Sequence, residues 1–496
     1  MVFSDLFFLF VFIPLFALSY LLANVIDKRL LPGTVPPVKS ADGTVTDIPR
    51  RLNRSKNWVI IIFSIIFYAW GEPVYVFLML FCVFINYLVG RWIGSTKDSR
   101  KLPLVIGLIC NIAILCTFKY LGFFAQFLCD LGLPVPVPNI ALPIGISFYT
   151  FQSISYLIDV YRRESPVQRR FTDLLLYISM FPQLIAGPIV RYGTVAKELH
   201  ERHVNSKDFA EGSYRFLIGL GKKVILANQL SEVSDQFLAN GLSSITTTGA
   251  WIGIVAFTLQ IYYDFSGYSD MAIGMGRCMG FHFNENFNHP YICNSITDFW
   301  RRWHMSLGSF FRDYVYIPLG GNRRHQMVNI LLVWFLTGMW HGASWNFIIW
   351  GLYFGVIVTA EKYILLRLPE KRWMQPLLHL YSMLIVIVGW GIFYFDELGS
   401  MQQFFAAFIP GSSVFHDFVT TSALLDHAWL WLIAILFAMP LRHAVSEFFT
   451  HRLGADHRWG GYCMTAWRIV CSLAILVISV SLLVGATNNA FIYTRF

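Results

Sequence analysis

Apolar stretches close to the length of a bilayer crossing recur from one end of this chain to the other. Crossing a hydrocarbon core of about 30 Å takes roughly 20 apolar residues in an α-helix. Such runs lie near 6–25, 58–70, 74–90, 103–124, 141–160, 171–189, 213–230, 249–263, 266–281, 327–340, 344–360, 376–395, 427–440 and 465–486. Several are under 18 residues, which suits short, broken or re-entrant helices. Only 14% of the 496 residues are charged and 56% are hydrophobic, whereas a soluble chain carries about 25% charged residues. In lipid every backbone polar group must be satisfied within its own segment, which leaves helices for runs of this length. The expected fold class is therefore an all-α polytopic membrane protein, with roughly 11–14 membrane helices at this spacing of runs.

The first run extends from Leu6 to about Val25 with no basic segment before it and no small-residue cleavage pattern after it. It is expected to be a retained first helix rather than a removed signal peptide. Net charge is +9. In a soluble protein that would suggest nucleic acid; here the placement of the charges matters more, because short cytoplasmic loops hold Lys and Arg. The segment from Asp27 to Asn57 carries Lys28, Arg29, Lys39, Arg50, Arg51, Arg54 and Lys56, and later return loops carry Arg91, Lys97, Arg100 and Lys101, then Arg162, Arg163, Arg169 and Arg170. The turns between them have neither residue. This alternation predicts an N-terminus outside the cell, and the basic stretch Arg442 to Arg458 inside. Between 190 and 230 charges and helices mix, and the rule gives no answer. The cysteines are scattered without a CxxC, which indicates buried thiols rather than a disulfide framework or a metal site.

Two of the 13 histidines stand out. Ser295-Ile-Thr-Asp298 has the form of a capping box. The helix it would start places Trp300, Trp303, His304, Leu307 and Phe311 on one face, with Arg301 and Arg312 on another and Asp298 positioned to pair with Arg302. A core histidine hydrogen-bonded to a neighbour accounts for His304 as well as a functional one does. His341 lies in LLVWFLTGMWHGASWNFIIWGLYFG, between Arg323-Arg324-His325 and Glu361-Lys362. Both ends look cytoplasmic, and an arm of 14 or so residues rises about 21 Å at 1.5 Å each. His341 is thus expected deep in the membrane, at the apex of a helical hairpin. An ionisable residue there is a functional candidate by default, although a histidine bonded across helices to a carbonyl also fits. An imidazole suits acyl transfer, because near neutral pH it accepts a proton from a hydroxyl and desolvation disfavours its charged form. The chain has no GxSxG elbow, HExxH, P-loop or dinucleotide fingerprint, so those chemistries lack their signatures.

Several long motifs together resemble the membrane-bound O-acyltransferases, and most closely their AlgI-like alginate O-acetyltransferase branch. They are Leu142-Pro-Ile-Gly-Ile-Ser-Phe-Tyr, Ala186-Gly-Pro188, Tyr263-Asp-Phe-Ser-Gly-Tyr-Ser-Asp270, Asn284-Glu-Asn-Phe-Asn-His-Pro-Tyr291, Asp298-Phe-Trp-Arg-Arg-Trp-His304, Arg312-Asp-Tyr-Val-Tyr-Ile-Pro-Leu-Gly-Gly-Asn322 and Trp340-His341-Gly342. The likeness covers roughly 1–365, leaving 366–496 as variable C-terminal membrane helices.

The resemblance implies a helical body around a central tunnel, in which a cytoplasmic thioester, acetyl-CoA or an acylated carrier, supplies an acetyl group. An extracytoplasmic acetyltransferase partner would receive it and modify an exported polysaccharide. It places the family's near-invariant histidine at His341 and the second at His304. His341 is the expected general base and His304 the group that orients substrate or assists proton transfer, with Asp264 and Arg312 as weaker supporting candidates that ion pairing explains at least as well. It implies no bound cofactor, no metal, no nucleic acid, and residence in the bacterial inner membrane. Peptidoglycan O-acetylation and D-alanyl transfer to teichoic acid are enzymatic rivals. A transporter of acyl groups or glycans is the non-enzymatic one, since broken helices and intramembrane histidines suit it too.

Overall fold

The computed structural model describes residues 2–29, 34–35, 50–51, 53–96, 99–365, 372–441, 458–486 and 491. Much of the basic segment between 27 and 57, and of the one between 442 and 458, lies outside the described residues. Among the described residues the regular secondary structure is helical apart from a two-residue antiparallel pair, Thr34–Val35 with Arg50–Arg51. Five helices are long and apolar enough to cross a membrane by themselves: Phe8–Lys28, Tyr75–Ser95, Lys101–Asp130, Arg372–Tyr394 and Thr465–Val484. The pair Phe418–Asp426 and Ala428–Ala438, bent by 61°, qualifies together as a sixth. The other expected spans fall short in length, hydropathy or charge, and the total of 11–14 stays an expectation.

Internal contacts group the chain into two units, residues 1–216 with 271–284, and residues 217–270 with 285–496. The expected division at 365 separates sequence signatures from a variable tail and is a different kind of boundary.

In the first unit the Ile146–Arg162 helix is buried along almost its whole length and packs on both Tyr75–Ser95 and the Lys101–Leu115 stretch. On those two partners, Asn86 and Asn111 exchange side-chain hydrogen bonds at 3.0 and 2.8 Å inside the core. The run at 171–189 is not one span. It is a nine-residue helix, Phe171–Ser179, which stops at Met180 and is followed by the single turn Phe181–Leu184.

The second unit holds the residues singled out in the sequence. The runs at 249–263 and 266–281 are one continuous helix, Thr247–Cys278, of 32 residues. The Asp264-Phe-Ser-Gly267 insertion does not break it, because Asp264 is neutralised by Lys223 and Gly267 lets the neighbouring backbone approach: a Cβ there would lie 2.8 Å from the Gly219 carbonyl oxygen. The expected single helix around His304 is, by contrast, two helices, Ile296–Arg302 and Met305–Phe311. The hairpin is present as expected. Its arms are Gln326–His341 and Trp345–Tyr363, joined by Gly342, Ala343 and Ser344.

Candidate active site

The hairpin owes its close packing to glycine. A Cβ on Gly338 would run into the Phe347 carbonyl, and one on Gly351 into the Trp334 carbonyl. With both absent, the two arms meet backbone to backbone. His341 is the last residue of the first arm, and Gly342 leaves the helix in extended geometry. This places the imidazole in an aromatic enclosure, with ring centroids at 4.9 Å for Trp340, 5.0 Å for Trp350, 5.3 Å for Phe393 and 6.5 Å for Phe347. His341 retains 5% exposure.

His304 sits in the break between its two short helices. The first begins as the sequence indicated: the Ser295 hydroxyl accepts the Asp298 N–H at 3.0 Å, and Asp298 pairs with Arg302 at 3.0 Å. Trp303 then turns extended and His304 takes a left-handed conformation, φ 44° and ψ 52°. A non-glycine residue there is uncommon, and costs of order 1–3 kcal/mol unless the surroundings enforce it. Asn286 enforces it. Its backbone carbonyl accepts the Met305 N–H at 3.0 Å. Its side-chain Oδ1 faces the Ser306 N–H at 3.3 Å, the Ser306 hydroxyl at 2.8 Å and His304 Nδ1 at 3.1 Å. Helical periodicity could not reveal this break, because the determining partner lies 18 residues upstream.

The same contacts fix the histidine's tautomer. A backbone N–H can only donate, so the Asn286 atom facing Ser306 is the amide oxygen. The amide nitrogen accordingly donates to Ser269 Oγ at 3.0 Å. An imidazole nitrogen facing that oxygen must carry the hydrogen, so His304 is protonated on Nδ1 and its lone pair is on Nε2. The ring is buried, and burial holds its pKa down at about 3 from the usual 6.5. It is therefore neutral at physiological pH. Phe265 packs edge-on at 4.6 Å, and Trp340 lies 5.7 Å away. Trp340 thus contacts both imidazoles, which come from separate elements.

Glu361 joins those elements. It is 1% exposed, near the end of the second arm. Its carboxylate accepts the Ile296 N–H at 2.6 Å, the Thr297 N–H at 2.7 Å and the Thr297 hydroxyl at 2.7 Å. The helix leading to His304 is thereby anchored to the hairpin carrying His341.

The two weaker candidates lie elsewhere. Asp264 is buried in an ion pair with Lys223 at 2.6 Å. Arg312 is exposed and pairs with its neighbour Asp313 at 2.6 Å. Asn286 and Glu361 carry no local signal of these contacts: Asn286 lies within the Asn284–Tyr291 motif, and Glu361 closes an apolar run, with partners distant in sequence.

Two imidazoles that can carry protons share the Trp340 ring, an arrangement that could serve acyl transfer. The model for MBOAT, the membrane-bound O-acyltransferase family, matches residues 160–401, and the chain belongs to that family: it is a multi-pass membrane O-acyltransferase. Among individual relatives, it is 40% identical to the probable alginate O-acetylase AlgI of Azotobacter vinelandii, over 82% of this chain and 78% of that protein. It is 39% identical to the protein of the same name from Pseudomonas aeruginosa, over 80% and 73%. With the peptidoglycan O-acetyltransferase of Helicobacter pylori it shares 36% identity over 62% and 64%.

Proposed function

We propose that this protein moves an acetyl group from a cytoplasmic thioester, acetyl-CoA or an acylated carrier, toward an exported alginate-like polysaccharide, through an extracytoplasmic acetyltransferase partner. It acts in the inner membrane of a bacterial cell with its N-terminus outside. The observation that carries this reading is the contact of Trp340 with both His304 and His341, on elements tied together by Glu361.

His341 takes the proton of the acceptor hydroxyl as its oxygen attacks the thioester carbonyl. The C–O bond forms, the C–S bond breaks, and the same proton passes to the departing thiolate. His304, held with its lone pair on Nε2, accepts a hydrogen bond from a second hydroxyl of the acceptor and so orients it, since the reacting O–H donates its one hydrogen to His341. Precise placement of this kind supplies much of the rate enhancement in acyl transfer. Both rings are enclosed, at 2% and 5% exposure, so the reaction includes opening of the aromatic wall to admit the substrates.

The test is His341→Ala, expressed at the wild-type level in membranes, with mass spectrometry of the exported polysaccharide. Loss of its acetyl groups is expected. Full acetylation would overturn the general-base assignment and favour a transporter. Acetyl on peptidoglycan alone, with the exported polysaccharide unchanged by deletion of the protein, would replace the proposed acceptor.

A further inference from the structure

A pocket in the first unit lies outside everything assigned above. It is bounded by the start of the Arg54–Gly71 helix, the start of the Phe171–Ser179 helix and the segment ending at His200. Its walls are fixed: Asn53 donates to the His200 carbonyl at 3.0 Å and Asn57 to the Leu199 carbonyl at 2.9 Å. The helix start at Arg54 needs no ligand of its own, because the Asp27 carboxylate accepts the Ser55 and Lys56 N–H groups at 2.9 and 3.3 Å.

Three side chains in this pocket are underused. Arg54 and Arg170 are exposed and make no ion pair among the described residues. Asp173 is 7% exposed, yet among the described residues its carboxylate accepts no hydrogen bond. Its one ion-pair partner is His200 Nδ1, 3.9 Å away and beyond hydrogen-bond reach. Basic residues on the cytoplasmic side follow from the positive-inside rule. A largely buried carboxylate among them is accounted for only in part. It lies in the first turn of its helix and feels the charges of His200 and Arg170, yet no donor among the described residues reaches it, and desolvating a charge without donors is costly.

The pocket also stands at the head of an exposed apolar surface. Trp58, Ile62, Ile66 and Trp70 recur every fourth residue down the Arg54–Gly71 helix and are all about half exposed. Residues four apart stack on one helix face, so they form a continuous apolar ridge starting at the pocket mouth.

We propose that this pocket binds the headgroup of an aminophospholipid. The phosphate lies between Arg54 and Arg170, the primary ammonium donates to Asp173, and an acyl chain follows the ridge from Trp58 to Trp70. A purely anionic headgroup would meet Asp173 as a like charge. A choline headgroup has no N–H to offer it.

The experiment is native mass spectrometry of the full chain in mixed micelles containing equal amounts of phosphatidylethanolamine, phosphatidylglycerol and phosphatidylcholine with matched chains. The expected result is about tenfold greater retention of the ethanolamine lipid than of either other, the scale of one charge-assisted hydrogen bond. Asp173→Asn should abolish the preference over phosphatidylcholine, and Arg54→Ala with Arg170→Ala should weaken retention of all three. Equal retention of the three lipids by the wild type, or strongest retention of the glycerol lipid, overturns the proposal without recourse to any variant. An unchanged preference in Asp173→Asn overturns the role of that carboxylate.

Discussion

The Glu361 carboxylate accepts the backbone N–H of Ile296 at 2.6 Å, across 65 residues of sequence, and so ties the helix preceding His304 to the hairpin that carries His341. Glu361→Ala strands the buried Ile296 N–H, at about 1–3 kcal/mol, and removes the acceptor of the two half-buried Thr297 donors. The variant is expected to lose several degrees of melting temperature in detergent, with transfer activity lost alongside. Glu361→Gln, which keeps one acceptor oxygen, should fall between it and wild type. Equal melting temperatures for all three would refute the clamp.

Asn286 sets the protonated nitrogen of His304, and its replacement should act on chemistry as well as on folding, because its Oδ1 is the acceptor for buried donors of His304 and Ser306. Asn286→Ala frees the ring to adopt either tautomer, and about tenfold or more of activity should be lost, the scale of a mispositioned proton-transfer group. Asn286→Asp restores an acceptor with a charge that stabilises the imidazolium. That variant should show a pH–activity profile whose acid limb moves upward, while Asn286→Ala shows no such shift.

The pair Lys223 and Asp264 separates structure from catalysis. Removing one partner of a buried ion pair costs about 3–5 kcal/mol, whereas replacing both by apolar residues of similar volume is often close to neutral. Lys223→Met alone should therefore destabilise the protein severely. The double variant Lys223→Met with Asp264→Leu should recover stability and keep acetyl transfer. A stable but inactive double variant would return Asp264 to the catalytic machinery.

His304 gives stability a definite dependence on pH. The folded ring, with its pKa held near 3, stays neutral where the unfolded ring at 6.5 takes up a proton. Stability from this group is therefore complete above about pH 6.5 and declines as pH falls toward 3. At pH 5 the loss amounts to about 2 kcal/mol at 1.36 kcal/mol per unit. Thermal unfolding of His304→Gln, compared with wild type between pH 5 and pH 7.5, should show a flatter acid dependence.

Much of this architecture follows from local pattern alone. Apolar runs without charge must become helices in lipid, and the runs flanking Trp340-His341-Gly342 are bounded by basic or acidic residues. The hairpin and its apex were legible for that reason, as were the Ser295 cap and the Asp298–Arg302 pair, whose partners lie within one helical turn. The run 171–189 and the pair 249–263 and 266–281 differ in the structure from their local pattern, because the first contains a stop at Met180 and the second has the charge partner of Asp264 on another helix.

By itself the sequence determined the helical membrane body, the hairpin that carries His341 and the residue types available for acyl transfer, since these depend on hydropathy and on contacts a few residues apart. Tertiary structure decided the left-handed break at His304, its tautomer, the aromatic contact shared by the two histidines and the Glu361 clamp. Each of these is a hydrogen bond or ring contact between residues 18 to 65 positions apart, and such partners are chosen by the packing of whole helices rather than by the periodicity of any one of them.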